Sequence, residues 1–408
     1  MQGISDVLST LSLRSGFGYT GGVNKSVYPV LIMDYLPTFR KSEFDFYRMG
    51  QITNAPNPNL RWEKNRTFNV GLNFGFLRDR ITGEFSYYHN KNLDQVTRVK
   101  VPTSTGFDVQ AYNTSEQVNY GIEFMLSAEL LRIQDFRWRM TANMAYNYNE
   151  LTKYASPTGF LSDTHFVGYP LGHIFTGKPI GINPETGLYE YKLRPDAKIL
   201  DVADLKKYEN YLFYVGTMNA PWNGGFSTTF AYKNFSLNLV GNFSIGGKII
   251  NNINSPVGYS NIGGSTIENI PSVENDLYAY YLNARKEVTN RWTPSNPITD
   301  GYPRIIDAYG PRLIDGNGQL ITNKVVTSSS ITRSSMLENL SYLKISSLSL
   351  NWSLPQRWLR KIRLSDINLG FLMNNLYTFT GYKGLDPETP GAVYPQARTY
   401  SFNLSINF

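Results

Sequence analysis

The chain has 408 residues, and its mean hydropathy is negative at −0.32 although Phe, Trp and Tyr make up 14% of it, a combination typical of a β-barrel with aromatic girdles and a wet interior. The absence of cysteine excludes disulfides, thiolate metal sites and cysteine nucleophiles, and the lack of an apolar run of about 18 residues argues against a membrane-spanning helix. The net charge of +7 comes from scattered basic residues, so no nucleic-acid partner is predicted.

Ten segments along the chain alternate apolar residues with Asn, Ser, Gly and Thr. In the second, Phe68, Val70 and Leu72 alternate with Asn69 and Gly71. Period two with one oily and one polar face predicts strands between lipid and a polar lumen, because Gly, Ser and Asn are poor core residues. The fold class is therefore all-β, an antiparallel transmembrane β-barrel segment. The predicted strands lie near 9–20, 64–77, 81–93, 117–130, 136–149, 224–232, 235–250, 336–354, 364–380 and 397–408.

The eighth segment changes phase. Its apolar residues move from odd to even positions at Ser346 and Ser347, which predicts a β-bulge there.

Short and long connections between these segments alternate strictly. The short ones are 77–80, 131–135, 233–234 and 355–363, and the long ones are 21–63, 94–116, 150–223, 251–335 and 381–396. Tight turns at one rim and long loops at the other are typical of outer-membrane barrels, with turns periplasmic and loops extracellular. Within the long loops, residues 274–290 predict a short helix and residues 183–187 the turn of a small hairpin.

The last strand alternates without error and ends on an aromatic residue. We interpret its apolar row as the signal that outer-membrane barrels present to their insertion machinery. This row is Tyr400, Phe402, Leu404, Ile406 and Phe408.

Seven landmarks then occur in the order found in one known family, and through them the whole chain resembles the carboxy-terminal portion of a SusC/RagA-type TonB-dependent outer-membrane transporter. They are the NPNLRWEK motif at 57–64, the GLNFGF strand at 71–76, the Tyr87-Tyr88 pair, YGIE at 120–123, APWNGGF at 220–226, RWTP at 291–294 with Pro303-Arg304, and GYKGLDPE at 381–388.

The resemblance implies that residues 1–408 are the C-terminal part of a larger barrel of about 22 strands, roughly strands 13 to 22. It implies import of glycan or peptide oligomers across the bacterial outer membrane, and a SusD-like lipoprotein lid on the extracellular loops. TonB would act through a plug domain, and we expect the plug, the TonB-binding segment and the signal peptide to lie outside this chain.

Two alternatives stay open at this point. A self-contained ten-stranded passive pore or outer-membrane enzyme could close, because even-stranded barrels of that size exist. A secreted β-rich carbohydrate-binding protein is the other.

No catalytic, metal or cofactor site is predicted. His89, His165 and His173 lie in separate segments without metal-ligand spacing. The carboxylates of Asp386 and Glu388 could serve a glycosidase, but they belong to the GYKGLDPE motif.

Aromatic residues of the long loops are the remaining candidates. They could stack on a substrate or pack against a partner lid, or they could form the apolar cores of the loops. They are Tyr278, Tyr280, Tyr281, Trp292, Tyr302, Tyr309 and Tyr382.

Overall fold

The structure is a computed structural model. It describes residues 7–23, 25, 27, 29–35, 50–54, 56–154, 167–185, 187, 189–197, 200, 208–250, 289–301, 337–392 and 394–408. The chain divides into two compact units, Met1–Leu171 with Gly224–Lys233 and Gly172–Asn223 with Asn234–Phe408. Among the described residues, no helix is long and apolar enough to cross a membrane.

The first unit holds six long strands that pair in the order β1-β4-β5-β6-β7-β12. A separate small sheet pairs β2 with β3, and a 3-10 helix covers Thr103–Thr105. The strands are β1 (Leu8–Gly22), β2 (Ile32–Tyr35), β3 (Gly50–Asn54), β4 (Glu63–Phe76), β5 (Ile81–Lys100), β6 (Val109–Ile133), β7 (Phe136–Lys153) and β12 (Trp222–Tyr232).

The second unit holds four long strands that pair in the order β13-β16-β17-β18. Three small two-stranded sheets pair β8 with β11, β9 with β10 and β14 with β15, and a 3-10 helix covers Tyr208–Tyr211. The elements are β8 (His173–Thr176), β9 (Pro179–Ile182), β10 (Tyr189–Tyr191), β11 (Phe213–Thr217), β13 (Phe235–Ile245), β14 (Lys248–Ile250), β15 (Leu337–Asn339), β16 (Tyr342–Ser353), helix α1 (Gln356–Ile362), β17 (Asp366–Thr380) and β18 (Thr399–Asn407).

The long strands confirm the all-β, antiparallel, ten-stranded prediction. The bulge is also confirmed, because the register of β16 against β13 passes from Ser347 opposite Val240 to Ile345 opposite Gly241 and leaves Ser346 as the extra residue. The hairpin around 183–187 is confirmed by the pairing of β9 with β10.

Three predicted boundaries need correction. The 94–116 connection is mostly strand, because β5 and β6 continue to pair beyond a register shift near Asp94, whose φ is 56°. Both faces of this extension carry polar residues, so its sequence does not alternate between polar and apolar residues and does not predict a strand. The predicted strands 235–250 and 336–354 both break, at Gly246-Gly247 and at 340–341, and the broken ends pair with each other as β14 and β15.

The fourth short connection, 355–363, contains helix α1, which alternation cannot show. The predicted helix at 274–290 lies almost entirely outside the described residues.

The two faces of the sheet stay in register from strand to strand. Leu239 of β13 lies opposite Leu348 of β16, and Asn238 lies opposite Ser349. Further along, Phe371 lies opposite Leu350 on one side and Phe402 on the other. Apolar side chains thus form continuous rows across β13, β16, β17 and β18, as expected of a lipid-facing surface.

Replacing Leu239 by Arg should lower the free energy of unfolding of the membrane-inserted barrel by roughly 2–4 kcal/mol, because it places a cation on the lipid face near mid-strand. Asn238→Arg is the matched control, since it puts the same charge one residue away on the polar face. Denaturant unfolding in lipid vesicles measures both, and equal losses would contradict the division into lipid and lumen faces.

Candidate functional site

The polar face of the first unit carries a groove of about 410 Å³. Arg14 donates to Glu84 across the sheet and to Asn73 Oδ1 at 3.3 Å. Both partners of the ion pair are largely exposed, so the pair adds little to stability and its charges remain accessible. The groove is lined by Arg14, Ser15, Gly16, Asn69, Val70, Gly71, Ser86, Tyr87, Tyr88 and Glu123.

Gly121 positions Tyr88, one of the residues that line this groove. Tyr88 lies opposite Gly121, Gly121 lies opposite Asn147, and the Tyr88 hydroxyl hydrogen-bonds to the Asn147 side chain. A Cβ on Gly121 would stand 2.7 Å from the Tyr88 hydroxyl and 2.2 Å from the Tyr146 carbonyl oxygen. The missing side chain therefore lets the Tyr88 ring cross β6 to reach β7, which gives a physical reason for glycine in the YGIE motif.

The chemistry of the groove suits a polar, uncharged or zwitterionic ligand. It offers hydroxyl, amide, guanidinium and carboxylate groups together with an aromatic ring, which can bind sugar hydroxyls or peptide groups. Among the described residues, no group of three His, Asp or Glu side chains is placed to hold a metal ion.

A buried lysine lies on the polar face of the second unit. The side chain of Lys344 is only 5% exposed, and its ammonium contacts both carboxylates of the GYKGLDPE motif. It donates to Glu388, lies 3.6 Å from Asp386 Oδ2, and donates to Gln396 Oε1 at 3.0 Å. These three partners all belong to the 381–396 loop, so Lys344 holds that loop against the sheet.

Residues of strands β13 and β16 also hydrogen-bond to Glu388. Asn242 Nδ2 donates to its Oε1 at 2.5 Å, and the Tyr342 hydroxyl donates to the same atom at 3.2 Å. Ser346, the bulged residue, donates to Asn242 and so orients this amide. We name the set of Lys344, Asp386, Glu388, Gln396 and Asn242 the loop anchor.

The loop anchor keeps Glu388 ionised. Burial by itself raises the pKa of Glu388, but hydrogen bonds from Lys344 and Asn242 and the charge of Lys344 outweigh it and hold the pKa below its usual value. Because the pKa of Glu388 is lower in the folded chain than in the unfolded chain, its ionised form stabilises the fold at every pH above the unfolded-state pKa. This stabilisation is lost as the pH falls through the lower pKa of the folded state. The anchor is therefore fully formed at neutral pH.

Two of the predicted loop aromatics are described, and both are buried. Trp292 is 1% exposed, and its Nε1 donates to the Pro184 carbonyl at 3.0 Å. The Tyr382 ring packs against Gly384, where a Cβ would stand 2.2 Å from it. Burial raises the pKa of Tyr382, and the charge of Glu338 raises it further. Burial of both rings favours a role within loop cores rather than contact with a ligand.

The other candidates, Tyr278, Tyr280, Tyr281, Tyr302 and Tyr309, lie outside the described residues.

Four residues of the final apolar row, Tyr400, Phe402, Leu404 and Ile406, lie on one face of β18, and Phe408 follows its last residue. Phe402 is 84% exposed, and its ring lies 4.8 Å from Phe371 of the neighbouring strand, centroid to centroid. Such exposure suits a surface covered by lipid.

Sequence reasoning missed the loop anchor. The available signal was Lys344, a cation within the polar and apolar alternation of β16. Glu388 and Gln396 lie 44 and 52 residues from Lys344 in the sequence, and only the folded loop brings them together.

Comparison with known proteins supplies the family. A family model described as "TonB dependent receptor-like, beta-barrel" matches residues 15–290. The chain is 26% identical to the TonB-dependent receptor SusC of Bacteroides thetaiotaomicron over 423 aligned residues, which cover 99% of this chain and 38% of that protein. It is 25% identical to the TonB-dependent receptor P3 of Formosa agariphila, with 99% of this chain and 40% of that protein covered.

Among solved structures, the RagAB peptide importer in its closed-closed state matches with a TM-score of 0.72 at 25% identity. That match covers 99% of this chain and 41% of the other. The chain thus spans about two-fifths of the length of these proteins.

Proposed function

Since the chain belongs to the TonB dependent receptor-like β-barrel family, we propose that it serves in the import of glycan or peptide oligomers across the bacterial outer membrane. In this proposal residues 1–408 form the C-terminal part of the barrel. The plug domain, and with it the contact to TonB, belongs to a part of the receptor that these residues do not contain.

The observation that carries the proposal is the two-faced sheet. Its apolar rows suit lipid, and its polar face carries a groove with the hydrogen-bonding groups that an oligosaccharide or peptide requires. The likeness to receptors and to a peptide importer is consistent with this role.

The proposed partner is a SusD-like lipoprotein lid that binds the extracellular loops. The loop anchor supports this part of the proposal, because it holds the 381–396 loop in one place at the rim of the sheet.

Uptake by cells tests the proposed function. Cells that carry the complete receptor should take up labelled oligosaccharides or oligopeptides, and deletion of TonB should abolish the uptake. Uptake that persists without TonB would indicate a passive pore, and a chain that stays in the soluble fraction would indicate a secreted binding protein.

The topology can be tested by cysteine labelling, because the sequence contains no native cysteine. Cysteines introduced at Ser265 and Lys383, in the connections predicted to be long loops, should react with an impermeant reagent on intact cells that carry the complete receptor. A cysteine at Asn234, in a two-residue turn, should react only after the cells are opened. If only the cysteine at position 234 were labelled on intact cells, the topology would be the reverse of the predicted one.

A further inference from the structure

Helix α1 has two exposed faces of different chemistry. Leu359 is fully buried, and the helix contacts strand β17. Trp358 and Ile362, one turn apart, are 43% and 52% exposed. These exposed apolar side chains suit contact with lipid, which is available at the rim of a membrane barrel.

The second face of α1 is cationic. Arg357, Arg360 and Lys361 are spaced i, i+3 and i+4 and so project from one side, and Arg363 follows at the helix end. All four are exposed, and within the described part of the chain none of them forms an ion pair. The Arg357 guanidinium lies 5.7 Å from the Trp358 ring centroid, so a cation and an indole share the same rim.

An apolar groove of about 380 Å³ runs over β13, β16, β17 and β18 on their lipid-facing side. Its walls are aliphatic and aromatic side chains of the apolar rows, and its volume lies in the range of small-ligand pockets. The groove is lined by Phe235, Leu350, Trp352, Leu369, Gly370, Phe371, Phe402, Asn403 and Leu404.

Trp352 connects the groove to the helix. Its ring stacks on Phe235 at 5.5 Å within the groove, and it meets Trp358 of α1 edge to face at 6.0 Å. The cationic face of α1 and the apolar groove are therefore neighbouring parts of one surface. The helix end of this surface is positively charged, and the groove is apolar.

We propose that this surface is a binding site for an acidic phospholipid. The phosphate lies among Arg357, Arg360 and Lys361, and an acyl chain lies along the groove. The charge complementarity selects an anionic over a zwitterionic lipid, because juxtamembrane cations attract anionic lipids. The site rests on the proposed membrane location of the chain, and it adds a lipid specificity that this location does not require.

Native mass spectrometry of the purified full-length receptor tests the site. The receptor is incubated with equal amounts of phosphatidylglycerol and phosphatidylcholine of the same acyl chains, and the retained lipids are counted. The wild type should retain phosphatidylglycerol preferentially. Arg360→Gln with Lys361→Gln should weaken this retention by about fivefold for each charge removed.

The matched control is Arg78→Gln with Arg80→Gln, which removes two cations from a short turn of the first unit and leaves α1 intact. Leu369→Trp fills the groove without a change of charge and should reduce retention of both lipids. Heat-modifiability of each variant is checked first, to show that it has inserted and folded. If the Arg360→Gln, Lys361→Gln variant fails to insert, Arg360→Gln alone replaces it, with an expected fivefold loss of retention.

The outcomes separate the two proposals. Equal retention of the two lipids by an inserted, transport-active receptor would overturn the lipid site and leave the proposed function intact. An equal loss in the Arg78 and Arg80 control would also overturn it, because the preference would then follow total charge. A wild-type receptor that never inserts into a membrane would overturn both.

Discussion

Residues 1–408 expressed alone should fail to form a heat-modifiable, protease-resistant barrel. Within the described residues, β1 pairs only with β4 and β18 pairs only with β17, so each has one edge of unpaired backbone groups. In hydrocarbon each unsatisfied peptide group costs several kcal/mol, which is why membrane sheets close. Leu13 of β1 and Phe402 of β18 are moreover highly exposed in apolar rows beside these edges.

Co-expression with the remaining strands of a full-length receptor is the control. It should restore membrane insertion, because both edges then find partners and no backbone group faces lipid. Heat-modifiability on gel electrophoresis reports the outcome for both samples. A resistant barrel from residues 1–408 alone would instead favour the self-contained ten-stranded pore.

Lys344→Met should lower the free energy of unfolding of the complete receptor by about 3–5 kcal/mol, as expected when one partner of a buried ion pair is removed. The substitution keeps much of the side-chain volume but leaves Asp386 buried and Glu388 half-buried without their cation. Denaturant unfolding in vesicles measures the loss. Hydrogen exchange in residues 381–396 should rise in the same variant, because the loop loses its attachment.

Two further variants identify the cause. Lys383→Met removes an exposed lysine from the same loop and should change stability by less than about 0.5 kcal/mol. Adding Asp386→Asn and Glu388→Gln to Lys344→Met should recover part of the loss, because neutral groups cost less to bury than unpaired charges. Unchanged exchange in the 381–396 loop of Lys344→Met would contradict the anchoring role of this lysine.

Much of the fold is visible in the sequence because a two-sided strand repeats its chemistry every second residue. The strands β1, β4 and β7 begin and end within a few residues of their predicted bounds, and the bulge at Ser346 appears as a change of phase. The positions of the turns are visible for the same reason, because the alternation stops where a strand ends. A three-residue run of positive φ from Leu77 to Asp79 separates two strands whose alternation ends on either side of it.

The sequence by itself therefore determined the strand pattern, the lipid and lumen faces and the family motifs, since each depends on residues close together in the chain. Only the tertiary structure decided how Lys344 meets Glu388, how Tyr88 crosses Gly121 to Asn147, and how α1 lies beside the apolar groove. These contacts depend on strand register and on the path of the loops. The sequence does not reveal them, because many side chains of similar chemistry could have met at these positions instead. Helix α1, with seven residues, is too short to be stable alone, and its contact with β17 and the burial of Leu359 decide that it forms.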